Sequence, residues 1–334
     1  MSSETAQKRA AGYPDLAVVI ASHGRPLRLR WLLNALEEQT LAPERFEVVV
    51  AHDSATDTRT LLESHPLTAA GRLRAQALAP GSGWAARLRN VAWRMARAQL
   101  ILFTDDDCRP PEGWLQEALR AARSHPDAIV QGPTHPDPDE LALLLHCPHA
   151  RSLTIEPGGA WGQTCNILYP RELLERLGGF DESLRRVGED TDLLARALDA
   201  GGRLTVAEQM LTYHCVEAGG LLGYVRSLGR WADIVPVIAR HPALRGGLPL
   251  GIFWRPRHPW FLLALGGIGA GVLTGRAWPL AALAPWVTRA LPAYGPGARG
   301  QLRALSELPG QAVVDAFELV TLARSSLRHR TLVL

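Results

Sequence analysis

Three consecutive carboxylates, Asp105, Asp106 and Asp107, follow closely on the apolar run Leu100-Ile101-Leu102-Phe103. An unbroken apolar run suits a strand buried on both faces, and Pro110-Pro111 stops any strand soon afterwards. In an open α/β sheet, ligands gather beyond the carboxyl ends of the strands. Like charges held together there repel one another, and a bound cation neutralises them. Mg2+ and Mn2+ prefer oxygen ligands and commonly join a carboxylate to substrate phosphates. An acidic turn lying wholly in water is the alternative. A second acidic group, Glu189-Asp190-Thr191-Asp192, heads a helical pattern with Leu193, Leu194, Ala197 and Leu198 on its core face. Ionised carboxylates stabilise a helix start whatever else they do.

The elements that must position these groups alternate. Leu16–Ala21 and Phe46–Ala51 read as buried strands. Between them Pro26 opens a helix with Leu29, Leu32, Leu33 and Leu36 on one face. This is a parallel crossover unit, and Asp53 stands just past its second strand. A helix carrying Leu88, Val91, Ala92 and Met95 leads into the acidic strand, followed by a helix over Glu112–Ser124 and a strand over Ala128–Gly132. The first 135 residues therefore predict a doubly wound sheet. Further on, Trp161–Tyr169 reads as a strand, Arg171–Leu177 as a helix ended by Gly178-Gly179, and Leu204–Tyr213 as a last strand delivering His214 and Cys215.

Composition narrows the class. The 334 residues are 47% hydrophobic and 21% charged, which excludes a disordered chain and an ordinary multi-span membrane protein. A net charge of +3 is too small to argue for nucleic acid. Lys8 is the only lysine, and this disfavours a phosphoryl transferase of the kind that needs a lysine downstream of its acidic strand. Four cysteines without a Cys-x-x-Cys pair suggest reduced thiols. Residues 1–14 are polar, lack an apolar core and read as a disordered tail.

Taken in order, Val18-Val19-Ile20 with Arg25-Pro26, Asp53, Arg89-Asn90, Asp105–Asp107 with Pro110, Asn166, Gly178-Gly179-Phe180-Asp181-Glu182, Gly188-Glu189-Asp190 and His214 resemble a family 2 glycosyltransferase of the bacterial membrane-associated type. The resemblance covers about two hundred residues and implies a GT-A fold, an α/β nucleotide-diphospho-sugar transferase with a Rossmann-like mixed sheet, here over 15–245. It implies transfer of a sugar from a nucleotide-diphosphate donor to an acceptor hydroxyl, with inversion. Asp190 would be the general base and Glu189 its supporting acid, with Asp192 a helix-surface charge or acceptor contact. Ser22, Arg25, Asp53, Arg89, Asp105 and Asp106 would bind the donor, Arg89 alternatively being a solvated helix residue. Asp107, Asp105 and His214 would hold Mg2+ or Mn2+, and Trp161 and Asn166 would wall the acceptor side. The chain departs from the family at His23-Gly24 and His52. A catalytically inactive sugar-nucleotide-binding membrane scaffold is the alternative reading.

The C-terminal third changes character. Leu221, Val225, Leu228, Ala232 and Val235 form one helical face, broken at Pro236. Pro259–Gly275 and Ala277–Thr288 carry no charge except Arg276, which lies between them. Arg255, Arg257 and His258 flank the first segment, and Arg299 and Arg303 follow the second, as in a membrane hairpin with both feet in the cytoplasm. Gly267, Gly271 and Gly275 form a small-residue packing face. A buried helix pair of a soluble domain is the alternative. Residues 246–300 are thus expected as a membrane-associated apolar hairpin. Residues 301–334 are expected as an amphipathic helix with Val313, Phe317, Val320 and Leu327 toward an anionic leaflet. These expectations put the protein on the cytoplasmic face of the membrane, with a glycan or lipid-linked acceptor and no nucleic-acid partner.

Overall fold

The computed structural model describes residues 13–54, 56–294 and 297–334. Most of the expected N-terminal tail, residues 1–12, lies outside them. The chain divides into two units: Met1–Leu141 with Ser152–Val216, and Ala142–Arg151 with Glu217–Leu334. The sequence reading runs the first domain on to residue 245.

Among the described residues, the first unit is built on ten strands: β1 (Leu16–Ser22), β2 (Phe46–His52), β3 (Leu73–Ala77), β4 (Leu100–Asp105), β5 (Cys108–Arg109), β6 (Ile129–Gln131), β7 (Thr134–Pro136), β8 (Ile167–Pro170), β9 (Leu204–Val206) and β10 (Thr212–His214). Seven form a sheet in the order β3-β2-β1-β4-β8-β6-β9, and three form a small one in the order β5-β10-β7. β3, β2, β1 and β4 run parallel, whereas β8 is antiparallel to both β4 and β6. The sheet is therefore mixed, in a GT-A-like α/β fold. From β1 the chain builds outward through β2 and β3, then returns to place β4 on the other side of β1. That reversal opens a crevice at the carboxyl ends of β1 and β4, where Ala21 is in register with Asp105.

Burial explains why apolar runs and not alternating patterns mark these strands. Val18, Ile20, Val48, Val50 and Leu102 pack on one face with Leu29, Leu33 and Leu36 of the helix Pro26–Glu37 and Trp114 and Leu115 of the helix Trp114–Ser124. Val19, Val49, Ile101 and Phe103 pack on the other face with Leu88 and Ala92 of the helix Ala85–Met95 and Leu193 and Leu194 of the helix Glu189–Asp199. Alternate residues of each strand thus feed opposite cores.

Two expected strands are corrected. Of Trp161–Tyr169 only Ile167–Tyr169 is strand, the start of β8; residues 161–163 are loop and Thr164–Asn166 a short 3-10 turn. Leu204–Tyr213 is two strands: a turn in which Met210 N donates to Ala207 O sends β9 to the large sheet and β10 to the small one.

In the second unit the apolar segment is the helix His258–Thr274, followed by a 3-10 turn over Trp278–Leu283 and the helix Ala284–Ala290. A Cβ on Gly267 would lie 2.5 Å from Pro279 O, so that glycine does permit close packing, while Gly275 (φ +65°) caps the helix. Phe261, Ala264, Trp286, Ala290 and Leu319 form the local core. Ala298–His329 is one helix of 32 residues. Among the described residues, no helix is long and apolar enough to cross a membrane. Pro236 sits in the first turn of the helix Ile234–Arg240 instead of breaking one. The flanking basic residues also point elsewhere than expected. Arg257 Nε donates to Asp315 Oδ1 at 2.5 Å, Arg255 donates to Glu318 Oε1 at 3.3 Å, and His258 Nε2 lies 3.2 Å from Glu318 Oε2. They satisfy buried acids of the long helix and are not aimed at headgroups.

Candidate active site

The loop after β1 folds back onto the acidic cluster. Ser22 Oγ donates to Asp106 Oδ2 at 2.9 Å, His23 N donates to the same oxygen at 3.1 Å, and Arg25 Nη1 donates to Asp106 Oδ1 at 3.1 Å. Both Asp106 oxygens are therefore engaged within the protein. Burial pushes its carboxyl up to about 6, with Arg25 opposing and Asp107 adding to the shift. Ser22 and Asp106, expected as donor contacts, instead fasten this loop to the end of β4. Arg25 also pairs with Asp107, and its side chain is 48% exposed. Asp53 plays a similar internal part. His23 Nδ1 lies 2.5 Å from its Oδ1, and Gly83 N donates to Oδ2 at 2.9 Å. A Cβ on Gly83 would come within 2.9 Å of the Asp53 carboxyl carbon, so glycine is required for that contact.

Asp107 differs from its neighbours. It is buried, and its Oδ1 has no hydrogen-bond donor. His214 Nε2 lies 3.4 Å from that oxygen. His214 Nδ1 sits 2.9 Å from the Cys215 carbonyl, which only a donor satisfies, so Nε2 is the ring nitrogen turned to Asp107. An orphaned carboxylate oxygen beside an imidazole nitrogen is a fit for a divalent cation. Cys215 completes the group geometrically, its thiol donating to Asp107 Oδ2 at 3.5 Å. Burial and the Asp107 charge push that thiol's pKa well up, so it remains a donor. Asp105, expected as a further ligand, is not in this group: Arg89 Nη2 donates to its Oδ1 at 2.8 Å.

Arg89 is neither a solvated helix residue nor free to grip phosphate. It is 6% exposed, and its Nη1 donates to Glu189 Oε1 at 2.5 Å. The guanidinium thus ties the end of β4 to the start of the helix Glu189–Asp199 and brings the two acidic groups together. Asp190 is half-buried at that helix start. Burial, with the neighbouring Glu189 charge adding and Arg89 opposing, raises its carboxyl to about 7. Thr191 N donates to Asp190 Oδ1 at 2.7 Å, and Thr191 Oγ1 donates to Trp161 O at 2.7 Å. The Trp161 carbonyl is therefore tied to the residue next to the raised carboxyl. Gly162 (φ +59°) lets its loop close in, since a Cβ there would meet Leu194 at 2.6 Å.

Two further expectations fail on geometry. Asn166 accepts from Trp114 Nε1 at 2.9 Å and donates to Pro133 O and Met210 O, so its amide is used up inside the fold. Asp192 is fully buried and receives Arg196 Nε at 2.8 Å; it is neither a surface charge nor an acceptor contact. In the sequence Cys215 is marked only by its place beside His214, since its thiol's approach to Asp107 depends on pairing β10 with β5.

Known proteins resemble this chain in sequence and in fold. Residues 17–177 match the family model described as glycosyl transferase family 2. A validoxylamine A glucosyltransferase of Streptomyces hygroscopicus subsp. limoneus is 30% identical over 232 residues, which is 59% of this chain and 50% of the relative. A pre-mycofactocin glycosyltransferase of Mycobacterium tuberculosis is 27% identical, over 59% of this chain and 45% of its own. This chain thus spans about half the length of the curated relatives it matches. Among solved structures, the mannosyltransferase PcManGT of Pyrobaculum calidifontis, in complex with GDP-Man and Mn2+, superposes with a TM-score of 0.57 at 18% identity, covering 94% of this chain and 87% of its own. S. aureus TarS in complex with UDP-GlcNAc gives 0.53 at 16% identity, covering 95% and 92%. At these identities the likeness is one of fold.

Proposed function

We propose, from the match of residues 17–177 to glycosyl transferase family 2 and from the site geometry, that the chain is a metal-dependent, inverting glycosyltransferase using a nucleotide-diphosphate sugar. The observation that carries this reading is Arg89 linking Asp105 to Glu189, which unites a cation-binding end with a raised carboxyl.

Asp107 and His214 are the residues suited to hold Mg2+ or Mn2+, whose charge would oppose that developing on the departing diphosphate. Asp190 receives the proton of the attacking acceptor hydroxyl, and a pKa near 7 matches a base to that task. Glu189 and Arg89 fix the base in place, and Trp161 offers an aromatic face on the acceptor side. Arg25, half-exposed beside Asp107, is the donor-phosphate contact, and Asp105 stands toward the ribose. Incubating the protein with a panel of nucleotide sugars, with Mg2+ or Mn2+, tests the reading. Metal-dependent release of nucleotide diphosphate that Asp190→Asn abolishes supports it; donor binding without turnover supports the inactive scaffold.

The reading extends to a lipid-linked or cell-envelope acceptor at the cytoplasmic face of a membrane. Its support is exposed apolar surface in the second unit: Val272, Leu273 and Trp278 are 79%, 88% and 72% exposed, and Val313, Phe317, Val320 and Leu327 are exposed along the last helix. Exposed Arg324, Arg328 and Arg330 end that helix. Cosedimentation with anionic vesicles, lost in Leu273→Glu with Leu327→Glu, tests this part; equal recovery in the supernatant for parent and variant refutes it.

A further inference from the structure

The small sheet has two faces, and the transfer site uses one of them. In β5 and β10, His214 pairs with Cys108 and Tyr213 with Arg109. Successive side chains of a strand point to opposite faces, so Tyr213 and Arg109 face away from the Asp107–His214 group. Behind them lies a cleft of about 870 Å3, within the roughly 300–1,000 Å3 range of small-molecule sites. All of its lining belongs to the first unit.

Its chemistry is specific. Trp31, 39% exposed, and Tyr213 supply aromatic surface, and Pro110-Pro111 a rigid apolar edge. Arg28 Cζ stands 4.8 Å from the centroid of the Trp31 ring and pairs with Glu140, so the indole is braced before any ligand arrives. Arg109 is gripped by Asp137 at 2.7 and 2.5 Å and by Asp139 at 2.6 Å. The lining contains five carboxylates to one guanidinium. Among the described residues, the exposed Glu38 and Glu112 carboxylates belong to no ion pair. Aromatic planes receive the C–H face of a pyranose ring, and braced carboxylates accept from its hydroxyls. The same acid excess repels uronate, sulfate or phosphate groups.

We propose that this cleft is a second saccharide-binding site, taking neutral or amino-sugar oligosaccharides and separate from the site of transfer. The source is either the distal rings of the acceptor or a free glycan, since both present the same hydroxylated rings. The proposal stands on the cleft alone and does not need the transfer reaction.

The test uses the full chain carrying Asp190→Asn, so that turnover plays no part, on an array of neutral, amino-sugar and anionic oligosaccharides. Neutral or amino-sugar glycans should be retained and anionic ones not. Adding Trp31→Ala should weaken retention at least tenfold, and Glu38→Arg with Glu112→Arg, both exposed positions, several-fold. Should Trp31→Ala fail to fold by circular dichroism, the Glu38/Glu112 pair decides alone. Absence of any retained neutral or amino-sugar glycan, a preference for anionic ones, or unchanged binding in these variants overturns the proposal. With an active Asp190, a Trp31→Ala rise in KM confined to long acceptors identifies the distal acceptor rings. Lost array binding with KM unchanged identifies a free glycan. Failure of transfer in the nucleotide-sugar assay leaves the array result intact, so the two readings fail separately.

Discussion

Asp190→Asn should make the protein more stable and far less active, with a pH dependence fixed by the burial of one carboxyl. The replacement is isosteric, and its carbonyl oxygen can still accept from Thr191 N, now 2.7 Å from Asp190 Oδ1. Burial raises the Asp190 carboxyl from 3.8 to about 7. A folded state that holds its proton more tightly than the unfolded chain is favoured at low pH and loses that advantage as pH rises. The loss begins near the unfolded value and is complete above about 7. The interval corresponds to a ceiling of roughly 4 kcal/mol, and partial exposure reduces this to about 1–3 kcal/mol after solvent screening. The variant should therefore match the parent in thermal or urea unfolding at pH 4. It should gain progressively through pH 7 and hold a constant advantage at pH 8. Turnover should fall by about 10²–10⁴, the usual worth of general base catalysis, while parental kcat/KM rises with pH toward a plateau above about 7. A stability difference independent of pH would refute the burial argument. Retention of more than a tenth of parental turnover would remove Asp190 as the base.

Other sites give independent tests. Asp107→Asn should weaken Mn2+ binding at least tenfold, read as free Mn2+ by electron paramagnetic resonance, because it neutralises the buried carboxylate that faces His214. Asn166→Leu should destabilise the first unit by about 2–4 kcal/mol in denaturant titration, since Trp114 Nε1 and two carbonyls lose their partner. Glu318→Ala should cost about 3–5 kcal/mol in the second unit, leaving the buried His258 and the partly buried Arg255 without their shared acid; an unchanged melting curve would contradict the inward pairing of these bases.

The large sheet was readable because its strands are buried on both faces, so β1, β2 and β4 stand out as apolar runs within a residue or two of their observed bounds. The acidic cluster was readable for the same reason, as charge at the end of such a run. The division of labour inside the cluster was not. Asp105, Asp106 and Asp107 are chemically identical in sequence, and their fates are decided by Arg89, Ser22 and His214, which lie 16, 84 and 107 positions away in the chain. The small sheet escaped notice because β5 is two residues long and β7 and β10 three each, too short to show any period. Asn166 and Asp192 were misread because a polar residue near a site looks the same in sequence whether it meets a ligand or stitches two loops.

Arg25 touches both Asp106 and Asp107 while nearly half its side chain stays in water. It acts as a tethered counter-ion, sharing with Arg89 the compensation of the strand-end charge. Folding of the first unit then has no need of an external ion, and a chelated sample should keep its melting temperature. An incoming divalent ion at Asp107 Oδ1 would share its carboxylate with the guanidinium held on Oδ2 and weaken that pairing, so metal entry should register as newly gained mobility of one arginine.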